Sequence, residues 1–166
     1  MEAPSLPIGL HLSQAARIVG QAFDDALTEA GGSLPVWLVL LNLKVRRPAN
    51  QRELAASVGI GEATLTHHLN AMQRAGLVTR ERDEVNRRIH VVALTPDGEA
   101  LFLRLRDAAM AFDRRLTKGV SAADRAQVAQ VLNQLVTNVG DGARVVPPWA
   151  PGGGGPHRPA NCDGED

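Results

Sequence analysis

The 166 residues leave room for one domain with a real core plus a tail, but not for two full domains. A hydrophobic share of 44% that includes only two Trp, three Phe and no Tyr leaves Leu, Val and Ala to fill that core, a composition suited to helices. A net charge of zero argues against a uniformly basic coat for nucleic acid, a lone Cys162 rules out an intrachain disulfide, and no stretch approaches the ~20 apolar residues of a membrane span, so a cytoplasmic protein is expected.

The charge is unevenly spread. Residues 1–43 carry one Arg against four acids, and residues 44–90 carry nine Lys or Arg against five acids. The stretch 91–140 is nearly balanced and 141–166 is acidic, so the middle of the chain is its basic part.

In chain order, apolar residues between Leu10 and Ala30 recur every three or four positions, with Gly31 and Gly32 behind them, which predicts a long amphipathic helix. A second helix should start near Leu34 and Pro35, where proline suits the first turn, and run to Pro48 with apolar residues on several sides. Asn50, with Glu53 three residues on, has the spacing of a reciprocal helix cap, and Leu54, Ala55 and Val58 then face inward. Gly59 follows after about two turns, where a left-handed residue redirects the chain into a fourth helix from Glu62 to Ala75.

Projected at about 100° per residue, the fourth helix gathers Leu65, Leu69 and Met72 on one side and Ala63, His67, Asn70 and Arg74 on the other. After Gly76, the segments LVTRERD and RRIHVVAL read as a two-stranded hairpin. Thr95, Pro96 and Asp97 open a helix running to about Lys118, and Ser121 with Asp124 caps a last one whose stripe is Val128, Val131, Leu132, Leu135 and Val139. The Gly- and Pro-rich residues 140–166 are read as a disordered tail.

A short helix, a glycine turn and a second helix with a small, polar outer face have the geometry that fits a DNA major groove. Ala55 and Ala56 are expected to let the two helices approach closely, while Leu65 and Leu69 hold the second against the core. The fold class is therefore mainly α: a winged helix-turn-helix of about six helices and one hairpin.

Residues 51–102, QRELAASVGIGEATLTHHLNAMQRAGLVTRERDEVNRRIHVVALTPDGEALF, resemble the MarR family of bacterial and archaeal transcriptional regulators. The likeness rests on the LAxxxG and TLTxxL elements, the AGLVTRERD entry to the wing, the NRR at its tip and the ALTPDG that opens the next helix; more loosely it covers residues 8–139. It implies a homodimer held by a dimerisation helix within 1–33 and by the helices of 95–139, with a DNA-binding lobe at 34–94. It further implies a ligand-responsive repressor on a pseudo-palindromic operator, each subunit placing one reading helix in the major groove and one wing on the minor groove.

On that resemblance Thr64, Thr66, His67 and Asn70 fall where similar proteins contact bases and phosphates, and Arg74 shares their outer face. Arg87 and Arg88 match the wing-tip arginines and Asp83 an acid that orients the wing. The family commonly has arginine at the position of His67 and aspartate at that of Asn86, so a shorter, titratable reader replaces a bidentate guanine contact here. Family members often bind small aromatic or phenolic anions near the dimer helices; His11, Arg17 and Trp37 are compatible lining residues, although a lone Trp among Leu and Val reads first as core.

Other function classes find less support in the residues. The five His are scattered without metal-ligand spacing, and no Cys precedes position 162, which leaves no metal site and no cysteine oxidant sensor near the first helix. A P-loop, nucleophile elbow, dinucleotide glycine fingerprint and helical zinc motif are all missing, so neither catalytic residues nor a cofactor is expected. The alternative is a winged-helix module that displays its polar helix to another protein and carries no DNA specificity.

Overall fold

A computed structural model describes residues 7–46, 50–82 and 90–140. Its elements are α1 (Ile8–Glu29), α2 (Leu34–Val45), α3 (Gln51–Val58), α4 (Glu62–Arg74), β1 (Val78–Arg82), β2 (His90–Leu94), α5 (Pro96–Leu116) and α6 (Ala122–Val139). The mainly helical winged-helix plan is therefore as the sequence predicts. Its wing-tip residues 83–89 and the Gly/Pro-rich residues 141–166 lie outside the described residues.

Local chemistry explains most boundaries. Thr95 and Ser121 start α5 and α6 by accepting the backbone N–H of the residue three positions on, at 3.0 and 3.1 Å. The start of α2 is different. Ser33 makes no side-chain cap, and the Leu34 N–H instead donates to Asp24 Oδ1 on α1 at 2.9 Å. A tertiary contact thus satisfies one orphan donor at a helix N-terminus and fixes the turn between α1 and α2.

The core lies where α2 crosses α3, α4 and α5. Leu40, Leu54, Leu65, Leu69 and Leu105 are fully buried, with Met72, Val78, Leu101 and Phe102 around them. Trp37 stacks on Phe102 with ring centroids 5.7 Å apart, and Phe23 of α1 meets Phe112 of α5 at 5.1 Å. At the surface of the same junction Lys44 donates to both carboxylate oxygens of Glu99, tying the end of α2 to the start of α5. Both partners are substantially exposed, so this pair contributes only about 0–1 kcal/mol.

The terminal helices are built otherwise. The first half of α1 is exposed through Ile8, Leu10, Leu12 and Ile18. Among the described residues no residue of α6 is buried, and no other element packs substantially against it. Val128 and Val131, on the apolar stripe expected from the sequence, are about half exposed.

One packing expectation is corrected. Ala55 is buried in the core, but Ala56 faces solvent. Successive residues on a helix diverge by about 100°, so both methyls cannot enter one contact.

Candidate nucleic-acid interface

The first helix of the motif is set by its ends. Asn50 Oδ1 accepts the Glu53 N–H at 2.9 Å, and Gly59 at φ 78° turns its own N–H back to the carbonyls of Ala55 and Ala56. The left-handed conformation, costly for a residue with a Cβ, lets α4 begin with only three residues between it and α3.

In α4, Leu65, Leu69 and Met72 are buried, whereas Ala63, His67, Asn70 and Arg74 are exposed, as the helical projection predicts, and Thr64 is exposed as well. His67, Asn70, Gln73 and Arg74 line one open concavity on the outer face. Its character is that of a groove reader, with an imidazole, two amides and a guanidinium and no carboxylate among its lining residues. Arg74 donates from Nε to the Asn70 carbonyl at 3.4 Å. His68 is half-buried beside Leu69, its ring edge-on to that of His67 at 5.9 Å between centroids.

Thr66 is placed differently from its exposed neighbours. It is half-buried; its hydroxyl donates to the Glu62 carbonyl at 2.8 Å and accepts from Gln51 Nε2 at 2.7 Å. Arg80 of β1 donates from Nη2 to the Thr66 carbonyl at 3.3 Å. Gln51, Gln73 and Arg80 are not among the site residues expected from the sequence. Only Gln73 had a local signal there, lying three residues beyond Asn70 on the same face.

The strands pair antiparallel, Val78 opposite Leu94 and Arg82 opposite His90. At the base of this hairpin the Thr95 N–H donates to the Leu77 carbonyl at 3.1 Å, and the Thr95 hydroxyl donates to the Gly76 carbonyl at 2.6 Å. Gly98 sits so close to Leu77 that an added Cβ would overlap the Leu77 carbonyl oxygen. Here glycine answers a close backbone approach, which gives the TPDG sequence a physical reason. The expected wing residues Asp83, Arg87 and Arg88 lie outside the described residues.

The residues expected to line a ligand site are not brought to one surface. His11 and Arg17 are exposed on the first half of α1, six residues apart and therefore about 120° apart around the helix. Trp37 is only 8% exposed and fills the core against Phe102, because its indole is the largest apolar body available at the α2/α5 junction. Among the described residues no group of three or more His, Cys, Asp or Glu converges on a metal-sized site, and no single helix is long and apolar enough to cross a membrane.

A short capped helix, a glycine turn, a helix with a polar concave outer face and a hairpin mounted beside it together define a winged helix-turn-helix DNA-binding protein. The MarR family model matches residues 33–90. The solved transcriptional regulator PA3341 is 32% identical, with a TM-score of 0.66 over 80% of this chain and 98% of that one. CouR from Rhodococcus jostii RHA1, solved bound to p-coumaroyl-CoA, is 26% identical, with a TM-score of 0.66 over 81% of this chain and 95% of CouR. A curated relative from Thauera aromatica, named as a transcriptional regulatory protein for the hcr operon, is 23% identical over 129 residues, 77% of this chain and 78% of the relative. The chain belongs to the MarR family, and it is a DNA-binding transcriptional regulator.

Proposed function

We propose that the protein is a cytoplasmic, non-enzymatic repressor that binds a pseudo-palindromic operator as a homodimer and is released by a small aromatic effector. The observation that carries this reading is the uncovered apolar surface of the terminal helices. An 18-residue helix with no buried side chain is marginal in water by itself, so α6 needs a partner, and a second copy offers the same stripe. Residues 1–33 and 95–139 then form the dimer body and 34–94 form the DNA lobe.

Within each lobe, Thr64, His67, Asn70 and Arg74 meet base edges and phosphates in the major groove, with Thr66 at the inner edge of that contact. Arg87 and Arg88 track the minor groove, and Asp83 orients the wing. Two lobes related by a two-fold axis read half-sites about 34–36 Å apart. A ligand that changes this spacing weakens the complex, which makes dimer geometry the switch.

An aromatic effector is supported by the solved complex of CouR with p-coumaroyl-CoA. His11 and Arg17, on the exposed half of α1, are the candidate contacts for its anionic group; Trp37, as a core residue, would act only through packing. The test is a gel shift across a salt series using DNA that flanks the protein's own gene, repeated with p-coumaroyl-CoA and with free phenolic acids. A salt-dependent shift that an aromatic compound reverses is expected. No shift even at low salt refutes the operator reading, and a shift that no such compound alters refutes the effector reading.

A further inference from the structure

We infer that Gln51 and Arg80 are positioning residues that set the pose of α4, and with it sequence discrimination, by converging on Thr66. The inference rests on the reading of α4 as the base-contacting helix. Thr66 directly precedes His67 and lies one turn before Asn70, so its backbone locates both outward side chains.

Two directional ties reach Thr66 from opposite sides in sequence. Gln51, the first residue of α3, donates to its hydroxyl at 2.7 Å across 15 positions; Arg80, on β1, donates to its carbonyl at 3.3 Å across 14. The hydroxyl proton is already committed to the Glu62 carbonyl, so the oxygen presents its lone pairs to Gln51. The Thr66 carbonyl likewise takes Arg80 in addition to its ordinary helical bond.

These ties do something that the apolar face cannot. Contacts through Leu65, Leu69 and Met72 set how deeply α4 sits, but dispersion and burial are non-directional and tolerate small rotation about the helix axis. Hydrogen bonds to a side chain and a carbonyl of one residue fix rotation and axial position together. Base readout depends on such placement, since a site held about 1 Å or about 10–20° off its productive geometry loses much of its effect. Among the described residues Arg80 has no carboxylate within ion-pair distance, and the Thr66 carbonyl accepts from its guanidinium.

The test uses the full chain and two duplexes, an operator selected from random DNA by the wild-type protein and a scrambled version, with Kd measured by fluorescence anisotropy. Gln51→Leu is expected to narrow the operator-to-scrambled affinity ratio by about tenfold, the worth of one well-placed hydrogen bond. Scrambled-duplex affinity and its salt slope should not change, because glutamine carries no charge. Thr66→Val should narrow the ratio as well, and the double variant should lose less than the two single losses multiplied, because both act through one bond. Thr66→Ser, which keeps the hydroxyl, should retain most of the ratio, and Arg80→Lys should narrow it while preserving charge.

Active protein is counted by stoichiometric titration and the fold checked by circular dichroism, so that partial unfolding is not mistaken for lost discrimination. An unchanged ratio in Gln51→Leu, independent losses that multiply in the double variant, or equal weakening on both duplexes overturns the inference. Wild-type protein that binds both duplexes equally overturns the reading of α4 itself and this inference with it, a result visible before any variant is made.

Discussion

Alanine at position 98 sets two effects of opposite sign against each other. Gly98 is the third residue of α5, where helix propensity alone favours alanine over glycine by up to about 1 kcal/mol. The added Cβ, however, would overlap the Leu77 carbonyl oxygen and come within 3.0 Å of the Leu77 carbonyl carbon. That neighbour is backbone, so no rotamer change makes room, and the first turn of α5 must move away from the hairpin. Moving it stretches the Thr95 N–H to Leu77 bond and the Thr95 hydroxyl to Gly76 bond. Two lost bonds at about 1 kcal/mol each and an overpacking cost of about 1–3 kcal/mol exceed the propensity gain, for a net destabilisation of about 2–4 kcal/mol. Urea unfolding followed by circular dichroism measures this, at one fixed protein concentration because the midpoint of a dimer depends on concentration. A midpoint equal to or above that of the wild type refutes the reasoning, since it means the contact relaxes without breaking the clamp.

Other substitutions probe separate parts of the molecule. His67→Ala should weaken operator binding by about 1–3 kcal/mol and leave the unfolding midpoint alone, because the side chain is exposed; a lowered midpoint would contradict its outward assignment. Replacing Arg87 and Arg88 together with alanine should lower the salt slope of DNA binding by up to about two, one for each phosphate contact, and an unaltered titration removes them from the interface. Val131→Asp, on the open stripe of α6, should shift the protein toward monomer in sedimentation equilibrium, and a dimer of undiminished strength would place the interface elsewhere. Trp37→Ala should cost about 3–5 kcal/mol of stability as a cavity opens against Phe102, whereas intact stability with a lost effector response would make Trp37 a ligand contact after all.

What the sequence showed was local, or followed from one helical period. The Asn50 cap, the turn at Gly59 and the two faces of α4 all depend on residues within a few positions of one another, so spacing alone located them. The small side chain of Ala56 is ambiguous in sequence, because its direction around the helix, and not its size, decides that it faces solvent. Trp37 had two readings in sequence, and its stacking on Phe102, 65 positions away, favours the core. Asp24 capping α2, Gln51 and Arg80 meeting at Thr66, and Gly98 against Leu77 are all contacts between elements. Their residue types are ordinary at their own positions, so no periodicity or motif marks them. The stripe on α6 is legible as a pattern, and among the described residues nothing covers Val128 and Val131.

The Thr95 hydroxyl joins points 19 positions apart, and the joint makes the wing a loop closed at its neck. Lengthening a closed loop carries only a slow entropic penalty, about 0.6 kcal/mol for each doubling of its length. That neck, with the antiparallel pairing from Val78–Leu94 to Arg82–His90, fixes the base of the hairpin between α4 and α5. The mounting of the reading helix is thus settled at the base of the hairpin, by Thr95 at its neck and by Arg80 on its first strand.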